Sequence, residues 1–154
     1  MRVTALSWGV KQSFRAYVEG AGGTILVAAG AERAADGAIV FPAEGDGLTT
    51  DADGALRGLE TFAGEVSFEA HGGMLSVRLS GLSLTVDADG ASLKVADERG
   101  KPVEIARLDL AAAASEDGAL VIPARLSMDG SYLLGDHYPP RTLVDPVRLT
   151  LADG

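Results

Sequence analysis

Asp-Gly pairs punctuate this sequence, among them Asp36-Gly37, Asp53-Gly54, Asp89-Gly90, Asp117-Gly118 and Asp129-Gly130. Two-residue hairpin turns favour this dipeptide, because their central positions need positive φ. Around these pairs the chain alternates apolar and polar residues, as in Val66-Ser67-Phe68-Glu69 and Leu82-Ser83-Leu84-Thr85-Val86-Asp87. That alternation is the mark of an antiparallel sheet with one face in the core. Strands are expected at Thr24 to Ala29, Ala38 to Phe41, Glu65 to Ala70, Leu75 to Leu79, Leu82 to Asp87 and Ala91 to Ala96. Further strands are expected at Val103 to Leu110, Leu120 to Ser127 and Val147 to Leu151.

One helix is expected, from Ser7 to Glu19. Val10, Phe14, Tyr17 and Val18 recur there at spacings of three and four, which places them on one stripe. Ser7 is read as its N-cap, and Gly20 as its stop. Gly20-Ala21-Gly22-Gly23 then reads as a flexible corner, and Ala111 to Ala114 as a strand end or a short helical turn. Helices do not alternate with strands, so a parallel βαβ fold is not expected. The fold class is therefore mainly β, a sandwich or partly open barrel of antiparallel strands with an N-terminal α-helix packed against it. With 154 residues, one domain over residues 1–154 is expected.

Composition narrows the chemistry. A formal charge of −9, from 22 acidic and 13 scattered basic residues, argues against a nucleic-acid partner, which needs a concentrated positive surface. No apolar run approaches the roughly 20 residues that a membrane-crossing helix requires. Cysteine is absent, which excludes disulfides, thiolate catalysis and thiolate metal sites. Only His71 and His137 supply imidazole, so a metal here needs oxygen ligands or a cofactor to hold it. Asp51-Ala52-Asp53-Gly54 and Asp87-Ala88-Asp89-Gly90 resemble calcium loops, but each brings its glycine two places too early for an EF-hand; solvated turns account for them better. Neither a Gly-x-Ser-x-Gly elbow nor a His-Glu-x-x-His motif occurs, and no enzymatic activity is expected.

Three blocks carry a resemblance. Trp8-Gly9-Val10-Lys11-Gln12-Ser13-Phe14-Arg15-Ala16-Tyr17 resembles the Trp-Gly-x-Lys-x-Ser-Phe-x-x-Tyr opening of the HtaA domain. Phe62 to Leu75, with His71-Gly72-Gly73 inside it, is similar to that family's strand, His-Gly, strand block. Gly135-Asp136-His137-Tyr138-Pro139 and Leu143-Val144-Asp145-Pro146-Val147 resemble its Phe-Tyr-Pro and Leu-Asp-Pro segment.

The resemblance implies a haem-binding domain of a bacterial haem-uptake system, extracellular or at the cell surface. Its partners would be haem, a haem-donor protein and a downstream haem receptor. The tyrosine of the opening block is the family's axial ligand, so the resemblance places Tyr17 on the iron of ferric haem b. His71 corresponds to the middle-block histidine and Tyr138 to the aromatic of the last block; Ser13, Trp8 and Phe14 join them as cofactor-binding candidates. A phenolate is a hard anionic ligand suited to ferric iron. Free phenol has a pKa of about 10, so an imidazole beside it would help by bonding to the deprotonated oxygen. Trp8, Phe14 and Val10 would offer apolar surface to the porphyrin, and Lys11, Arg15 or Arg141 would pair with its propionates. His137 stands where the family usually carries an aromatic, which makes it a rival ligand. The alternative is a non-catalytic β-sandwich interaction module that does not bind haem.

Overall fold

The computed structural model describes residues 1–153. Its strands are β1 (Arg2–Trp8), β2 (Thr24–Ala28), β3 (Glu32–Arg33), β4 (Ile39–Pro42), β5 (Leu48–Thr50), β6 (Leu56–Phe62) and β7 (Glu65–Ala70). They continue with β8 (Leu75–Leu79), β9 (Leu82–Asp87), β10 (Gly90–Ala96), β11 (Pro102–Leu108), β12 (Ala114–Glu116), β13 (Ala119–Leu126) and β14 (Leu143–Ala152). Two α-helices, α1 (Gln12–Gly20) and α2 (Met128–Leu133), complete the set with one-turn 3₁₀ helices at His71–Gly73 and Leu110–Ala112.

Eight strands close into a ring in the order β13, β11, β10, β9, β6, β5, β1, β14, because β14 pairs with both β1 and β13. Every neighbouring pair in the ring is antiparallel. The mainly β architecture with an N-terminal helix is thus as expected, and the barrel is fully closed. Closure leaves the ring without open edges. β3 and β4 extend from β1, and β12 from β13. A second sheet, in the order β2, β7, β8, carries α1 on one face. Alternation fills the core with residues such as Leu6, Leu84, Leu93, Ile122 and Leu149, all fully buried. Each such side chain contributes roughly 1.5–3 kcal/mol by leaving water.

The helix does not begin at Ser7. Residues 2–8 form a strand in which Ser7 pairs with Val40 on one side and Arg148 on the other. In this strand Val3, Leu6 and Trp8 are taken into the core by the sheet. A corner follows at Gly9-Val10, where Val10 adopts φ 63°, and α1 starts at Gln12 behind Lys11, which makes no side-chain cap. Gly20 is the last helical residue, and the left-handed closing position falls to Gly22, φ 75°. In the corner that follows, Gly20 and Gly22 face open space, while a Cβ on Gly23 would lie 2.1 Å from the Glu69 carbonyl oxygen.

Of the Asp-Gly pairs, Asp117-Gly118 is the turn between β12 and β13, with φ 49° and 78°. Asp129-Gly130 is not a turn. It lies in α2, where a Cβ on Gly130 would come within 2.0 Å of the Ile105 carbonyl oxygen, so glycine serves close packing. Asp51 spends Oδ1 on the backbone N–H groups of Asp53 and Ala55, and Asp87 spends Oδ1 on that of Asp89. Both are turn-building carboxylates. The alanine run divides between the end of a 3₁₀ turn and β12.

Candidate functional site

The site assembles where α1 crosses the small sheet. Phe14 and Val18 point down from α1 and are buried, Phe14 meeting Phe68 of β7 edge-on at 5.1 Å between ring centroids. The flank of the helix beside them looks outward. Ser13 and Tyr17 are four residues apart and share it, as helical periodicity requires, and Tyr17 is 45% exposed.

Tyr17 has a partner. β7 ends at Ala70, and the chain returns to β8 through His71, Gly72 and Gly73, all three at positive φ. This turn brings His71 Nε2 to 2.7 Å from the Tyr17 hydroxyl oxygen. With a neutral imidazole the phenol O–H donates to Nε2; after proton transfer the Nε2–H donates to the phenolate. The pair can therefore hold either protonation state of the phenol without losing its bond. Met74 follows at the surface, 90% exposed.

The third block arrives from the other side. Its Tyr138 hydroxyl lies 3.0 Å from Ser13 Oγ, and its ring stands 6.4 Å from Phe14 with Lys11 Nζ at 5.6 Å. His137 places its imidazole 5.9 Å from the Tyr17 ring. Ser131 Oγ of α2 donates to the Tyr138 carbonyl and fixes this loop. Tyr17, His71, His137, Tyr138 and Ser13 are thus gathered from three distant parts of the chain around one exposed shelf.

Other candidates lie elsewhere. Trp8 belongs to β1, not to the helix; its ring is 1% exposed and its Nε1 donates to the Asp145 carbonyl at 2.8 Å. Phe14 is equally buried and forms the floor of the shelf. Val10 is in the corner and buried. Arg15 is not free for a propionate, since it is buried in an ion pair with Asp145 at 2.6 Å. Lys11 donates to the Leu143 carbonyl, and Arg141 adopts φ 71° in the loop before β14. Asp145 carries no local signal of a role, although the uncapped first turn of α1 calls for an acceptor from outside it.

Two shallow clefts, of about 280 and 180 Å³, lie away from Tyr17, at Met1, Arg2, Asp46, Thr49 and Thr50 and on the β9 to β11 face. Among the described residues no group of three or more His, Asp or Glu is placed to hold a metal ion, and no helix is long and apolar enough to cross a membrane.

The family pattern described as Htaa matches residues 4–150. This chain belongs to the HtaA family. Its structure is similar to the C-terminal domain of HtaA from Corynebacterium glutamicum, at 26% identity over 96% of both chains with a TM-score of 0.71. The N-terminal domain of the same HtaA matches at 23% identity over 99% of both chains, with a TM-score of 0.74. Heme binding protein HtaB from that organism matches at 19% identity over 96% of this chain and 91% of its own, with a TM-score of 0.71. No curated relative matches the sequence. The three blocks that carry the resemblance all fall inside the matched HtaA span, and it is these blocks that meet at the shelf.

Proposed function

We propose that this chain is a haem-binding, non-enzymatic domain of a bacterial haem-uptake system. It would work outside the cell or at its surface, between a haem-donor protein and a downstream receptor. The observation that carries the reading is the exposed Tyr17 phenol held 2.7 Å from His71 Nε2. Membership of the HtaA family, and a relative of the same fold described as a heme binding protein, support it.

The donor set suits ferric haem b. Tyr17 would hold it, and bound ferric iron would supply an electrophilic centre that favours an anionic oxygen ligand. His71 takes the phenol proton at Nε2 and then steadies the phenolate by donating it back as a hydrogen bond. Ser13 and Tyr138 present paired hydroxyls that suit a propionate at the edge of the shelf, with Lys11 nearby for charge. Phe14 underpins the shelf. An open shelf fits a carrier that must give its cargo up.

Hemin titrated into the haem-free chain is expected to give a saturable visible spectrum of high-spin ferric haem. Tyr17→Ala should abolish it or weaken binding by roughly two orders of magnitude or more. Undiminished binding by Tyr17→Ala removes Tyr17 from the ligand role. A wild-type chain with no saturable band leaves the interaction module that binds no haem.

A further inference from the structure

Tyr17 can serve iron only if α1 is held at a fixed angle to the β7–β8 turn. The helix has nine residues, too few to hold their own axis without tertiary contacts. Its first turn is served from β14. Asp145 Oδ1 accepts from Gln12 N at 3.0 Å, and Oδ2 accepts from Arg15 Nη1 at 2.6 Å. The same Arg15 nitrogen donates to the Gly9 carbonyl at 2.7 Å. The Asp145 backbone is engaged as well: its carbonyl accepts from Trp8 Nε1, and its N–H donates to the Val10 carbonyl at 2.9 Å. Asp145 therefore accepts hydrogen bonds from Trp8, Gln12 and Arg15 and donates one to Val10.

We infer that Asp145 is the positioning residue for Tyr17, clamping the start of α1 to the barrel so that the phenol meets His71; this rests on, and deepens, the reading of Tyr17 as the iron ligand. A carboxylate at a helix N-terminus satisfies free N–H groups and is favoured by the helix dipole. Arg15 adds a partly buried charge pair, and losing its Asp145 partner would leave the Arg15 charge with the Gly9 carbonyl alone. Glycine at position 9 permits the clamp, since a Cβ there would lie 2.2 Å from Arg15 Nη1 and 2.6 Å from Asp145 Oδ2. At the far end of α1, buried Val18 packs into the core, and the Glu19–Arg33 pair adds an exposed and therefore weak fastening. A tilt of about 10° over the ~7.5 Å of helix between Gln12 and Tyr17 displaces the latter by about 1 Å, enough to break a hydrogen bond.

The test compares Asp145→Ala and Asp145→Asn with the wild-type chain, first without haem. Asp145→Ala is expected to speed amide exchange at Gln12 roughly tenfold or more and to remove the NMR contact between the Tyr17 and His71 rings. Asp145→Asn, which keeps an acceptor for Gln12 but drops the charge facing Arg15, should fall between. With hemin added, both should shift the visible spectrum away from that of the wild type. A lowered melting temperature with the ring contact and spectrum unchanged overturns the inference. If Asp145→Ala does not fold, Asp145→Asn and Arg15→Lys carry the same measurements. A wild-type chain that binds no hemin would sink the haem reading, while exchange and ring contact in the haem-free chain still decide the clamp.

Discussion

His71 sits at φ 55° with Gly72 and Gly73 beside it, a conformation that costs an ordinary residue about 1–2 kcal/mol and glycine almost nothing. A non-glycine held there is the kind of local strain that accompanies function. Replacing it by glycine relieves the strain, at the expense of extra freedom in the unfolded chain and one exposed hydrogen bond. These contributions nearly cancel. His71→Gly is therefore expected to change unfolding stability by less than about 1 kcal/mol in urea denaturation, while hemin affinity falls and the visible spectrum shifts. A large loss of stability with unchanged hemin binding would make His71 a structural residue instead.

Among the elements, α2 matters beyond its six residues. Ser127 caps it by accepting from Gly130 N at 2.8 Å, and its hydroxyl donates to the Glu104 carbonyl. The helix in turn presents Ser131 to the Tyr138 carbonyl, so the cap indirectly steadies the loop that delivers His137 and Tyr138. Ser127→Ala should cost about 1–2 kcal/mol in denaturant unfolding. Increased proteolytic nicking between Gly135 and Arg141 is the accompanying local sign, and a variant protected there like the wild type would separate α2 from the loop. β13 shows a related device: its register shifts between Ile122 and Ala124, around Pro123, which has no N–H to give the ladder.

For the whole molecule, β14 is the decisive strand, because it closes the barrel between β1 and β13 and carries Asp145 to the helix. Leu149 is fully buried on it and pairs with Leu6 and Leu120. Leu149→Ala should cost about 2–5 kcal/mol, measured by urea denaturation. A cost below about 1 kcal/mol would mean that the closing seam contributes little to stability.

Sequence alone determined the strands whose alternation is strict: β7, β8 and β9 fall on the expected residues, Glu65–Ala70, Leu75–Leu79 and Leu82–Asp87. Period-two patterning acts within a few residues, so it is legible locally. β1 and β6 are not legible locally, for opposite reasons. Val3-Thr4-Ala5-Leu6 ran up to a helix-like spacing, and Gly58 interrupted the other strand, while both take their conformation from partners far away in sequence. The blocks marked Tyr17 and His71 as candidates, yet nothing local placed one against the other. Their meeting, the burial of Trp8 and Arg15, and the work of Asp145 were decided by tertiary structure, since each depends on contacts spanning 54 to 137 residues. Hydrogen bonds at such separations leave no periodic trace in the chain; they exist only once the barrel has closed.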